Sequence, residues 1–129
     1  MRIPLLALAF GAALAAALPV RADVLQGDRF ITAMKNNTVA ARTAAGTRYN
    51  LYFLPGGAVT YSDAVGHRVG GRWRLDRAGD VCVSWHGDTA LPTGCYRVRA
   101  DDRRLTWSTK DAHSDDTLRG AVINAFLTR

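Results

Sequence analysis

The sequence predicts an all-β fold: a small, mainly antiparallel, up-and-down meander barrel of about eight strands with one short N-terminal helix. Three observations predict it. Beyond residue 38, apolar side chains recur at every second position in short runs, as in strands with one buried face. Clusters of Gly, Pro and Asp separate these runs. The charged residues are fifteen Arg, two Lys and eleven Asp with no Glu, whereas exposed helix faces favour Glu and Lys.

The first 22 residues are predicted to be a secretory signal peptide. Arg2 supplies a short positive start, an apolar run rich in Leu and Ala follows, and Val20-Arg21-Ala22 offers a small-residue cleavage site. An uncleaved anchor is the alternative, because the run approaches the ~17–25 residues of a spanning helix. Cleavage would leave residues 23–129 as one β-barrel domain, with 15 basic and 11 acidic residues and a charge of +4.

Export determines how the two cysteines are interpreted. Compartments beyond the membrane are oxidising, so Cys82 and Cys95 are predicted to form a disulfide rather than a metal pair or a catalytic thiol. The bond would close a loop of about 14 residues and contribute roughly 3 kcal/mol in the chain-entropy model. We therefore expect a periplasmic or secreted protein with no integral membrane segment after signal cleavage.

A short helix is predicted over residues 27–35, ahead of the strands. Phe30, Ile31 and Met34 share one face of such a helix, and Asn36-Asn37 would end it. The helix is expected to plug or cap one end of the barrel.

The strand registers can be compared with one another, because a slip of one residue would turn a whole strand inside out. The predicted hairpins agree on a single inner face and place both cysteines on the outer face. The cross-strand pairs are Cys82 with Cys95, Val81 with Tyr96, Asp80 with Arg97, Val98 with Leu105, Tyr96 with Trp107, Phe53 with Val59, and Leu51 with Tyr61.

An antiparallel meander has two exposed edges, and closing it into a barrel removes them. A flatter sandwich is the alternative. An eight-stranded barrel is wide enough either to be filled by side chains or to hold one small ligand, so its aromatic interior can be interpreted as a packed core or as an apolar cavity. The side chains expected to face the interior are Tyr49, Phe53, Tyr61, Trp73, Trp85, Tyr96 and Trp107.

Four arginines are expected on the outer face of the strands that flank Cys82, and these surface-binding candidates are Arg72, Arg74, Arg97 and Arg99. Such a basic stripe could bind an acidic polysaccharide, phospholipid headgroups or an acidic protein. A solvated sheet face without a ligand is the alternative, since arginine predominates throughout the chain.

Catalytic groupings are not apparent in the sequence. Asp101-Asp102 is explained by turn chemistry, and His86 and Asp88 share a loop with no activated serine beside them. We therefore predict that the protein is not an enzyme, with no cofactor, no metal and no nucleic-acid partner.

Several segments taken together resemble a family of small exported proteobacterial proteins of uncharacterised function. The segments that carry this resemblance are the Gly27-Asp28 helix start, Asn37-Thr38-Val39, Tyr49–Phe53 before a Pro-Gly turn, Gly71-Arg72-Trp73, and Cys82, Trp85 and Cys95. The Gly-x-Trp strand also resembles lipocalin-like small β-barrels, but there it is the first strand, so lipocalin ligand binding is not implied. Size, topology and cysteine count are similar to those of bacterial inhibitors of proteases and lysozyme.

These features favour an exported, non-enzymatic binding or accessory protein of the periplasm that recognises an envelope protein or an anionic glycan or lipid surface. One alternative is a carrier of a small apolar ligand in the barrel interior. Another is a periplasmic protease inhibitor.

Overall fold

Nine strands and one helix follow one another in a computed structural model that describes residues 23–111 and 117–128. The predicted signal peptide, residues 1–22, lies outside the described residues. The elements are β1 (Asp23–Leu25), α1 (Asp28–Met34), β2 (Thr38–Arg42), β3 (Arg48–Phe53), β4 (Ala58–Asp63), β5 (Arg68–Leu75), β6 (Val81–Trp85), β7 (Gly94–Asp101), β8 (Arg104–Lys110) and β9 (Leu118–Thr128).

Strands β2 to β9 form a closed antiparallel barrel. Each strand pairs with the next along the chain, and β9 returns to pair with β2. This closure confirms the predicted eight-stranded meander barrel, and the alternative of a flatter sandwich is wrong. The unpredicted strand β1 pairs with the far end of β7, where Leu25 lies opposite Val98.

The period-two pattern is visible in the burial of several strands. Along β3, exposed and buried residues alternate without exception, and Tyr49, Leu51 and Phe53 are the buried ones. Since all eight barrel strands turn one face inward, the apolar sets of the separate hairpins merge into one core.

The predicted registers of two hairpins are confirmed. β6 and β7 pair with Cys82 opposite Cys95, and β3 and β4 pair with Phe53 opposite Val59.

The predicted register of β7 and β8 is wrong by two residues. Val98 lies opposite Trp107 rather than Leu105, and Tyr96 lies opposite Thr109 rather than Trp107. A two-residue turn explains the difference, because Asp102 takes a positive φ of 55° and leaves Asp101 paired with Arg104. The inner and outer faces are unaffected by a shift of two.

Helix α1 closes one end of the barrel. Phe30 and Met34, four residues apart, are buried in the core. Ile31 was expected on the same face but is 42 % exposed, so the inward stripe is narrower than predicted. No helix among the described residues has the length and apolar character needed to cross a membrane.

The connection between β6 and β7, residues 86–93, packs over the opposite end of the barrel. Leu91 is fully buried there. The Ala90 amide donates to the hydroxyl of Tyr61 at 3.3 Å, and the hydroxyl of Tyr96 donates to the Pro92 carbonyl. Both ends of the barrel are therefore covered by the chain's own residues.

Candidate functional site

The disulfide lies on the outer face of the barrel, as predicted. Cys82 and Cys95 are directly opposed on β6 and β7 and their sulfurs are bonded. The carboxylate of Asp76 lies within 4.8 Å of both sulfurs. Because the sulfurs are bonded to each other, they present no thiolates with which to bind a metal beside that carboxylate.

A buried ionic cluster adjoins the disulfide. Asp80 has no exposed surface, and it accepts hydrogen bonds from Arg97 at 3.0 Å and from Gln26 at 3.1 Å. The Lys110 ammonium, whose side chain is 2 % exposed, donates to Asp80 and to Asp76, both at 2.7 Å. Five polar side chains on the outer face of the barrel thus form hydrogen bonds with one another, in a position where polar groups ordinarily bond to water.

The protonation states of this cluster follow from its contacts. Burial raises the pKa of Asp80, but hydrogen bonds from Arg97, Lys110 and Gln26 outweigh burial and leave that pKa below its ordinary value. Burial alone would lower the pKa of Lys110. The hydrogen bonds to Asp76 and Asp80 outweigh burial, and the pKa of Lys110 is therefore raised above its ordinary value. Asp80 and Lys110 are therefore both ionised at neutral pH.

The turn between β5 and β6 brings the acidic side chains together. Asp76 accepts hydrogen bonds from the amides of Ala78 and Asp80, both at 3.0 Å, which is the local bonding expected of Asp at a turn. Gly79 has a positive φ of 85°, and a Cβ there would lie 2.8 Å from the Gly27 nitrogen. The turn therefore packs directly on the segment that leads into α1.

Above the disulfide and the ionic cluster lies a shallow groove, which we call the disulfide groove. Its first part has a volume of about 410 Å³ and is lined by Arg72, Arg74 and both cysteines. Its second part, of about 710 Å³, shares Arg74 and Cys95 with the first and adds Arg77 and Arg119. All four arginines are exposed.

The structure separates the four predicted surface arginines. Arg72 and Arg74 line the disulfide groove together. The prediction of Arg97 as a surface-binding residue is wrong, because its side chain is only 14 % exposed and forms an ion pair with Asp80 in the ionic cluster. Arg99 is exposed, but it lies farther along β7, opposite Val24 of β1, and does not line the groove.

Sequence reasoning missed Arg77, Lys110 and Arg119. Arg77 lies in a turn and therefore outside every alternating pattern. Lys110 and Arg119 flank the connection between β8 and β9, where the register is irregular. An alternating pattern assigns a residue to a face only within a regular strand, so it carried no signal for these three.

Inside the barrel, aromatic rings contact one another. Trp107 packs against Phe30, Phe53 and Tyr96 with ring centroids 5.7–6.4 Å apart. Of the seven side chains assigned to the interior, five are buried and two are half-buried against the core. The buried ones are Tyr49, Phe53, Tyr61, Tyr96 and Trp107, and the half-buried ones are Trp73 and Trp85.

Two of the buried aromatic side chains, Tyr49 and Tyr96, carry phenol hydroxyls. Burial raises the pKa of Tyr96 to about 12. Burial also raises the pKa of Tyr49, and the neighbouring hydroxyls of Tyr96 and Tyr61 raise it further. Both phenols are neutral at physiological pH.

No protein-family model matches this chain, and no curated protein matches it. The geometry of the described residues is therefore the basis for inferring a function.

Proposed function

We propose that this protein is an exported, non-enzymatic binding or accessory protein of the cell envelope that recognises clustered phosphate groups, such as those on a layer of phospholipid headgroups. The observation that carries the proposal is the set of exposed arginines around the disulfide groove, namely Arg72, Arg74, Arg77 and Arg119. Periplasmic or secreted localisation is part of the proposal and is supported by the disulfide.

The groove's own acidic side chains are largely neutralised by cations. Asp76 is bonded to Lys110 beneath the groove, and Asp111 lies 3.9 Å from Arg119. The exposed guanidinium groups therefore dominate the local potential. Guanidinium donates paired hydrogen bonds to phosphate and carries its charge at every physiological pH, so this surface is suited to anionic headgroups.

The barrel interior supports surface recognition over a carrier function. A carrier of a small apolar ligand needs room inside the barrel, whereas the central rings contact one another. Both ends are also covered, by α1 and by the connection between β6 and β7.

We expect the double variant Arg72→Gln/Arg74→Gln to bind phosphatidylglycerol vesicles roughly 30-fold more weakly at low salt, because each arginine near an anionic surface contributes about 1 kcal/mol. Co-sedimentation with the vesicles measures the change, and phosphatidylcholine vesicles give the uncharged baseline. Short-chain polyphosphate, as a competitor, separates recognition of phosphate from recognition of a lipid layer.

The matched control is Arg99→Gln/Arg103→Gln, which removes the same charge from exposed positions that do not line the disulfide groove. We expect the control pair to reduce binding only slightly. Equal losses in the two pairs would contradict a specific site, and failure of the unmodified protein to bind the anionic vesicles or polyphosphate at low salt would overturn the proposal.

A further inference from the structure

A second groove lies on the side of the barrel away from the disulfide. In a ring of eight strands, β2 is four positions from β6 and therefore opposite to it. This groove lies over β9, β2 and β3, reaches Asp63 at the end of β4, and has a volume of about 610 Å³. We call it the β2 groove, and the residues that define it are Ala40, Arg42, Arg48, Asn50, Asn124 and Phe126.

The strand register arranges these six residues in two rows across three strands. In the first row, Arg42 of β2 lies between Arg48 of β3 and Asn124 of β9. In the second row, Ala40 lies between Asn50 of β3 and Phe126 of β9. The small side chain at the centre of the second row leaves a depression, walled on one side by an amide and on the other by an aromatic ring.

The first row places two positive charges directly opposite each other. Like charges at directly opposed positions of a sheet are destabilising. Within residues 23–111 and 117–128, neither Arg42 nor Arg48 forms an ion pair that would offset this repulsion. The acidic residue that lines the groove, Asp63, uses its Oδ1 to accept the amides of Val65 and His67 in the following turn.

The second row presents an aromatic ring to solvent. Phe126 is 49 % exposed, on an outer face whose other groove residues are polar or small. The guanidinium of Arg104 lies 5.8 Å from the centroid of this ring, which is within cation–π range. An exposed ring held against a cation beside a depression is a surface on which a flat apolar group can pack.

We propose that the β2 groove binds a carboxylated sugar unit of an acidic oligosaccharide. The paired guanidiniums of Arg42 and Arg48 bind the carboxylate. Asn50 and Asn124 offer amide donors and acceptors to the sugar hydroxyls. The ring of Phe126 packs against the C–H face of the sugar. The inference goes beyond the proposed function, because it concerns another face of the barrel and another ligand chemistry.

The combination of groups favours a sugar over other anions. A phosphate layer would be bound by the arginines but would leave the ring of Phe126 and the two amides without a role. An acidic peptide would also satisfy the arginines, but it presents neither a hydroxylated ring nor a flat C–H face to the depression above Ala40. The β2 groove matches a ligand that carries a carboxylate, hydroxyls and an apolar face in one unit.

The test is isothermal titration calorimetry with trigalacturonate, with maltotriose as a neutral sugar and tetra-aspartate as an acidic peptide. We expect Phe126→Ala, and separately Arg42→Gln/Arg48→Gln, to weaken trigalacturonate binding at least tenfold. All three side chains are exposed, so we expect the variants to keep the fold, and circular dichroism is the measurement that checks this. The control Arg99→Gln/Arg103→Gln, at exposed positions that line neither groove, should bind trigalacturonate like the unmodified protein.

Three results would overturn the inference: no binding of trigalacturonate, equal binding of maltotriose or tetra-aspartate, or an equal loss in the control pair. These results are distinct from failure of the proposed function. That function is tested with phosphate probes and with the arginines of the disulfide groove.

Discussion

Lys110→Met is expected to lower the free energy of unfolding by about 3–5 kcal/mol, the usual cost of removing one partner from a buried ion pair. Methionine keeps the length of the side chain but leaves the fully buried Asp80 and the neighbouring Asp76 without the ammonium that now lies 2.7 Å from each. Urea denaturation followed by circular dichroism measures the change.

The matched control is Arg99→Met, which removes a cation from an exposed position on a neighbouring strand. Its expected effect is within about 0.5 kcal/mol, as for most surface substitutions. If Lys110→Met were as mild as Arg99→Met, the ionic cluster would not contribute to stability in the way its geometry indicates.

The cluster also sets the pH dependence of stability. The lowered pKa of Asp80 contributes stability that is present above its unfolded value, about 3.9, and is lost as the pH falls through the folded value. The raised pKa of Lys110 contributes stability that is present below about 10.4 and is lost as the pH rises through the folded value. The difference between the unmodified protein and Lys110→Met should therefore be largest near neutral pH and smaller at both extremes.

Trp107→Ala is expected to lower the free energy of unfolding by about 3–5 kcal/mol, as is typical for removing a large buried aromatic side chain. Trp107 has no exposed surface, and its ring contacts Phe30 of the helix, Phe53 of β3 and Tyr96 of β7. The substitution opens a cavity where the helix meets the barrel. Urea denaturation of the purified variant measures the loss.

Trp107→Phe is the conservative comparison and should cost clearly less than Trp107→Ala. It keeps most of the ring contacts, and it removes a buried indole N–H that has no hydrogen-bond partner among the described residues. Equal losses in the two variants would indicate that the contacts of this ring do not hold the helix against the barrel.

The alternating strands were predictable because side-chain direction in a regular strand depends only on position along the chain. Tyr49, Leu51 and Phe53 are buried on one strand for this reason. The disulfide was predicted from the expected export to an oxidising compartment, and the two cysteines lie opposite each other in a hairpin. The two-residue error in β7 and β8 arose at Asp102, because a turn with positive φ cannot be located by alternation alone.

The candidate sites were less predictable, because they depend on pairings between distant parts of the chain. Arg42 and Phe126 become neighbours only when β9 pairs with β2 and closes the barrel. Lys110 contacts Asp76 and Asp80, which lie 34 and 30 positions earlier in the sequence. Strand β1 has only three residues, which is too short for a period of two to be recognised.

The measurement that tests the central claim most directly is a titration of ¹⁵N-labelled protein with tripolyphosphate, followed by ¹H–¹⁵N correlation spectra. If the phosphate-binding groups lie outside the barrel, the largest shifts should occur in β5, β6 and the start of β7, around Arg72, Arg74 and the disulfide. The indole N–H signals of Trp85 and Trp107 should not move. Large shifts of those two indoles and of the Leu91 amide, with a silent outer face, would place binding inside the barrel and contradict the account.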